Sequence, residues 1–291
     1  MSEPLVAPSF GPARRFLLAV ALAAAWLGLN TLLPQLGPTG IPATVARLLI
    51  HGVTLVGLWL GLARTDLPGR TRLRVWLAVA IPFTLWLAIV WRLALIGFFE
   101  ALLGVVRTPP PLPVAIFVPV VIGLAFLLRS QRIAIVLDAM PLSWLIGLQL
   151  YRIFGGIFLV NWALGAVPGA FALPAGIGDV TVGLLALPVA WWATSDNPAG
   201  RRAAIAWNLL GLTDFAVAIT MGILSSPGPL QVLAIGHPNV LVGTYPTVMV
   251  PAFGVPSSIL LHGLSLRQLR RRARGTERQA VSNLTLRSST T

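Results

Sequence analysis

The chain contains no cysteine and no lysine, only three histidines and two tyrosines, and just 10% charged residues across its 291 positions. Without sulfur ligands it cannot build a disulfide framework, a Cys-ligated zinc site, an iron-sulfur cluster or a covalently attached c-type haem. Its eight acids and three histidines are scattered along the chain rather than grouped. That leaves little material for a hydrolytic metal centre or a Ser-His-Asp triad, so no catalytic residues, metal or cofactor are expected. What fills the space is apolar: 56% of residues are hydrophobic and the mean hydropathy is +0.86, a composition that describes a polytopic membrane protein.

The formal charge of +13 comes entirely from arginine. These arginines fall in the gaps between hydrophobic stretches, the pattern of basic loops held on the cytoplasmic side, so nucleic acid is not an expected partner. Eight stretches are long enough to cross the hydrocarbon core as helices: 16 to 34, 43 to 63, 75 to 99, 114 to 128, 142 to 165, 177 to 194, 203 to 224 and 246 to 266. With both termini inside, seventeen of the twenty-one arginines face the cytoplasm and Arg107 alone faces the other side. Arg47, Arg92 and Arg152 fall within spans.

The expected organisation is a cytoplasmic segment over 1–15, an all-α transmembrane domain of about eight helices over 16–266, and a basic, disordered cytoplasmic tail over 267–291. The lipid bilayer is the main partner, with anionic headgroups meeting the polybasic tail. The first span, after Arg14-Arg15, reads as a retained helix rather than a cleaved signal. Residues 133–141 are too short to cross and read as an amphipathic piece at the inner interface, and the apolar, Gly- and Pro-rich stretch 225–245 as a re-entrant or surface-lying external loop. The six tryptophans near span ends (Trp26, Trp59, Trp91, Trp162, Trp191 and Trp192) suit the membrane interface, and the sequon at Asn283 falls on the inner side, where it has no use.

A 4+4 parallel repeat is suggested by the second and sixth spans. Ile41-Pro42-Ala43 and Leu173-Pro174-Ala175 each open a helix, with Arg47 and Asp179 five positions after the proline, followed by Val53-Thr54 and Val180-Thr181. Val118-Pro119 and Val255-Pro256 form a weaker match between the fourth and eighth spans.

A charged side chain inside a span costs about 2.5 to 3.5 kcal/mol even on insertion scales, so such groups face the bundle interior and find partners. Arg152 and Asp214 lie near mid-depth, with Arg47, His51, Arg92 and Asp179 in the outer half and Glu100 near its end. Arg47 and His51 share a helical face, as do Gln149 and Arg152. With Asn208, these residues predict one polar, Arg-lined cavity in the outer half of the bundle, and Arg152 requires Asp179 or Asp214 as its partner. The cavity suits binding or transport of a small polar or anionic solute. The same groups could equally do no more than lock helices together, as in a structural or assembly component. His51, His237 and His262 read as core or interfacial residues.

Gly176-Ile177-Gly178-Asp179 resembles the G-x-G-D string of intramembrane aspartyl proteases of the presenilin and signal-peptide-peptidase class. That resemblance implies an enzyme in which Asp179 shares a proton with a second acid, such as Asp214. It covers four residues, and the fifth span carries Tyr151-Arg152 where those families have Tyr-Asp. More broadly, Gln149-x-Tyr151-Arg152, Pro174-Ala-Gly-x-Gly-Asp179, Asn208 and Asp214 are similar to a group of uncharacterised bacterial membrane proteins over the fifth to eighth spans. This resemblance implies a bacterial inner-membrane location and carries no activity.

Overall fold

The computed structural model describes residues 12–32, 41–100, 110–194 and 197–288. Arg107 and Asp196 lie outside the described residues, as does most of the N-terminal segment. Among the described residues every regular element is helical: α1 (Pro12–Leu32), α2 (Ile41–Ala63), α3 (Gly69–Leu95), α4 (Pro111–Arg129), α5 (Gln131–Ala139), α6 (Leu142–Gly147), a 3₁₀ segment (Leu148–Gly156), α7 (Ile157–Ala163), α8 (Gly169–Ala193), α9 (Pro198–Ser225), a 3₁₀ turn (Leu241–Gly243), a π-helical turn (Val250–Gly254) and α10 (Val255–Ser288).

Six of the helices are long and apolar enough to cross a membrane: α2, α3, α4, the composite Leu142–Ala163, α8 and α9. The first and last expected spans have helical counterparts in α1 and α10, which are not among the six. The apolar part of α10 begins at Val255, preceded by turns over 246–248 and the π-helical Val250–Gly254, and past Leu266 the helix turns polybasic and runs on to Ser288. It thus continues through a segment whose composition suggested a tail. The outward faces invert the pattern of a water-soluble domain: Leu48, Leu49, Val56 and Leu60 of α2 and Val121 and Ile122 of α4 are all exposed.

Several boundaries depart from the hydropathy reading. The sixth helix begins eight residues before the expected start, at Gly169, so Pro174 lies inside α8 while Pro42 stands in the first turn of α2. The two prolines therefore hold different positions in their helices. Segment 133–141 is mostly the short helix α5, capped by Ser130, whose hydroxyl accepts from the Ile133 amide.

The fifth span is broken into three pieces, which sets the architecture of the centre. In a 3₁₀ helix side chains three apart stack in rows, so residues 148–156 present three rows to three neighbours. Gln149, Arg152 and Gly155 form one buried row, and Gly155 abuts Asp179 of α8. Leu148, Tyr151 and Phe154 form the second, with Leu148 against Gly57 of α2 and the other two lining a cavity. Leu150 and Ile153 form the third, packed with Ala19 and Ala23 of α1 and Leu184 and Leu187 of α8.

The far end of the bundle is closed by side chains of α10. Arg267 donates to the carbonyls of Leu127 (2.6 Å) and Ser130 (3.0 Å) at the end of α4, and Gln268 to those of Leu137 (2.6 Å) and Met140 (2.7 Å) at the end of α5. The Leu127, Leu137 and Met140 carbonyls are among those a helix C-terminus leaves without intrahelical partners, and a cation there also complements the helix dipole. Arg271 pairs with Asp138 at 2.5 Å, but both groups are exposed. The buried contact should therefore dominate. Gln268→Leu, which strands the Leu137 carbonyl and leaves that of Met140 to Arg272 alone, is expected to lower unfolding stability in detergent by about 1–3 kcal/mol, whereas Arg271→Ala should change it by less than about 1 kcal/mol. Equal losses in the two variants would refute this assignment.

Candidate functional site

Arg152 extends from the 3₁₀ segment between α8, α9 and α10 and is only 3% exposed. Its Nε donates to Asp179 Oδ1 at 2.9 Å, and Nη2 reaches the same oxygen at 2.8 Å. Nη2 also donates to Asp214 Oδ2. Nη1 faces the Gly211 carbonyl at 3.4 Å and His262 Nε2 at 3.2 Å. All three guanidinium nitrogens are thus hydrogen-bonded, four bonds in all, with the second Asp179 contact a close ion pair. The charge is also covered by an aromatic face, with Cζ 3.9 Å from the centre of the Phe215 ring.

The surrounding groups set the histidine tautomer. Asn208 uses its side-chain nitrogen to donate to Ala204 O (2.7 Å) and Ser265 Oγ (3.0 Å), which turns its oxygen toward His262 Nδ1 at 2.9 Å. Nδ1 therefore carries the hydrogen, and Nε2 presents its lone pair to Arg152. Trp207 closes the far side of the imidazole with ring centroids 4.9 Å apart, and its own N–H is bound by the Val182 carbonyl at 3.0 Å. Tyr151 and Ser258 share a hydrogen bond of 2.8 Å beside the cluster.

Two glycines make the close packing possible. A methyl group at Gly178 would collide with Oδ1 of Asp214, and one at Gly155 with Oδ2 of Asp179. This gives Gly178 of the G-x-G-D string a steric role: it admits the carboxylate of the neighbouring helix. Asp179 and Asp214 both contact the same Nη2, so the guanidinium stands where a proteolytic acid pair would hold its shared proton.

The structure does not gather all the expected residues at this point. Arg152, Asp179 and Asp214 meet directly and Asn208 joins through His262. Gln149 is fully buried one 3₁₀ turn before Arg152, with no hydrogen-bond partner for either side-chain atom among the described residues. His51 turns to α3, stacked 5.2 Å from Phe83 and 2.9 Å from Thr84 Oγ1. Arg92 is exposed in the last turn of α3, and neither it nor Glu100 forms an ion pair among the described residues.

Arg47 makes a second site. It is 2% exposed, donates through Nη2 to Tyr245 Oη at 2.9 Å and to Thr44 Oγ1, and lies with Cζ 3.8 Å from the Trp91 ring centre. No carboxylate pairs with it among the described residues, and Nε and Nη1 have no hydrogen-bond partner. A cavity of about 460 Å³ has both Arg47 and the Arg152–Asp179 pair in its wall, together with Tyr151, Tyr245 and Ser258. The single expected polar cavity is thus a cavity joining two differently satisfied arginines.

The sequence reading missed His262, Phe215 and Tyr245. His262 could have been found from the spacing Ser258, His262, Ser265, a polar stripe on one face of an otherwise apolar helix.

The fold and this centre define a helical membrane protein built around a buried arginine–carboxylate cluster. Residues 109–270 match the model of a family described as a domain of unknown function, DUF8737, and the chain belongs to that family. The matched segment contains Arg152, Asp179, Asn208, Asp214 and His262, while Arg47 lies outside it. No curated protein and no solved structure matches the chain.

Truncating one member of a buried ion cluster leaves the others uncompensated. Arg152→Ala should cost about 3–5 kcal/mol of stability in detergent unfolding, with partial recovery when Asp179 and Asp214 are also changed to Asn. Strictly additive losses would show that the cluster is not coupled. Gly178→Ala, which forces a methyl into the Asp214 carboxylate, should cost about 1–3 kcal/mol, and part of that loss should disappear in an Asp214→Ala background.

Proposed function

We propose that this protein is an eight-span protein of the bacterial inner membrane, with both termini cytoplasmic, that binds a small polar or anionic solute in its internal cavity and moves it across the membrane. The observation that carries this reading is Arg47: a buried guanidinium on a cavity wall with no carboxylate partner among the described residues. Burying an uncompensated charge is costly, and an anion in the cavity supplies the missing compensation. Arg152 contributes differently. Its nitrogens are all hydrogen-bonded and its charge is met by two carboxylates, so it shapes the cavity wall and fixes the helices while Arg47 supplies the free positive charge.

The arginine partition supports the orientation, and the eight-span reading takes α1 and the apolar part of α10 as its two further crossings. The polybasic end of α10 would then meet anionic headgroups at the inner surface. A 4+4 relation between the halves belongs to the same reading and requires α1–α4 to superpose in order on the composite helix, α8, α9 and α10.

Because the chain has no cysteine, single cysteines can be introduced without background. Cysteines after residues 38, 110, 170 and 236 are expected to react with impermeant maleimide from outside, and those after 68, 131, 198 and 275 from inside. Two contrary sites would reject eight spans. For the solute, a thermal-shift screen of purified protein against inorganic and organic anions should find stabilisation that Arg47→Gln abolishes and Arg92→Gln leaves intact. Stabilisation that survives Arg47→Gln would reject the proposed site.

A further inference from the structure

Apart from Arg47 and the mutually paired Arg152 and Asp179, the wall of the Arg47 cavity is largely apolar. Ile50, Phe154, Ile157, Leu241, Met249 and Phe253 make up much of its wall. Such a surface offers few hydrogen bonds to a compact polar ion such as phosphate, which would have to give up its hydration without replacement. It also disfavours a second negative charge on the ligand, because the cavity wall carries Asp179 as well.

A second cavity of about 610 Å³ lies alongside, lined by apolar groups that include Leu112, Ile116, Phe158, Phe171 and Ile219. Both cavities have Asp179, Phe215, Val250 and Val255 in their walls, so the two spaces adjoin at these residues. The second one reaches the exposed Pro110 and Leu230, at the start of α4 and in the turn after α9. An anion-compensating group therefore lines one of two adjoining, largely apolar spaces, the second of which reaches the bundle surface.

From this arrangement we infer that the ligand is an amphipathic monoanion, a single anionic headgroup held at Arg47 with an aliphatic chain laid along the apolar walls. This rests on the anion-binding reading above and narrows it to a ligand class. Arg47 neutralises the headgroup, Tyr245 and Thr44 hold the guanidinium in place, and the apolar walls take up the chain. The headgroup can come from a free alkyl carboxylate or from an anionic membrane lipid, since both offer one negative charge on an apolar body.

The test uses the full chain in phosphatidylcholine nanodiscs, with binding measured by calorimetry. Octanoate is the probe; acetate lacks its chain, octanol its charge, and suberate adds a second carboxylate. Octanoate is expected to bind at least about tenfold more tightly than acetate, octanol or suberate. Arg47→Gln should abolish that binding and Arg47→Lys retain part of it. Competition by phosphatidylglycerol added to the nanodisc identifies a membrane lipid as the source of the anion, and indifference to it identifies a free carboxylate. Acetate or phosphate binding as tightly as octanoate through Arg47 would overturn the amphipathic ligand while leaving the anion cavity standing. Octanol matching octanoate, or no binding of any anion, would overturn both. Circular dichroism of each variant separates loss of binding from loss of fold.

Discussion

A guanidinium buried among membrane-spanning helices has to be matched donor by donor, because no water is at hand to complete its shell. Arg152 meets this demand with acceptors drawn from three other helices: Asp179 from α8, Asp214 and the Gly211 carbonyl from α9, and His262 from α10. Each contact constrains where its helix can lie, and none can relax without leaving a polar group unpaired. Apolar packing between such helices has little directional preference of its own. The cluster supplies the register that Leu, Val and Ala cannot.

The 3₁₀ segment makes that matching possible. An unbroken α-helix would spread residues 148–156 around its circumference at about 3.6 per turn, whereas the tighter winding aligns Gln149, Arg152 and Gly155 in one row. Gly155 then leaves room for the Asp179 carboxylate beside the guanidinium. The same winding sends Tyr151 and Phe154 to the cavity, so one local change of helix type serves the charge cluster and the cavity wall together. A mid-helix stretch of this kind commonly marks a hinge or a functional site.

Much of this was visible in the sequence because transfer energies are large. Long apolar runs and their arginine punctuation located the helices, and the cost of an intramembrane charge identified Arg152 as a group needing an acid. Both Asp179 and Asp214 answer that need, because one guanidinium has donors enough for two carboxylates. Less legible was which helix lies beside which, since apolar faces of similar composition do not identify their neighbours. Arg47 and His51 illustrate the limit. Their spacing puts them on one side of α2, yet one turns to Trp91 and Tyr245 and the other to Phe83 and Thr84. The break at 148–156 contains no proline, and its only outward sign is the Gly155-Gly156 pair. Pro174, by contrast, looks like a helix start and lies inside α8.

The final helix joins two parts of the molecule that are otherwise far apart in character. His262 touches the charge cluster, and six residues later Gln268 grips the ends of α5, a separation of about 9 Å along a helical axis. Over so short a length a helix behaves as a stiff lever. A rotation or axial slide of α10 that lifts Gln268 off the Leu137 and Met140 carbonyls would also withdraw His262 from Arg152, so the polybasic end outside the core and the polar centre within it share a single mechanical degree of freedom.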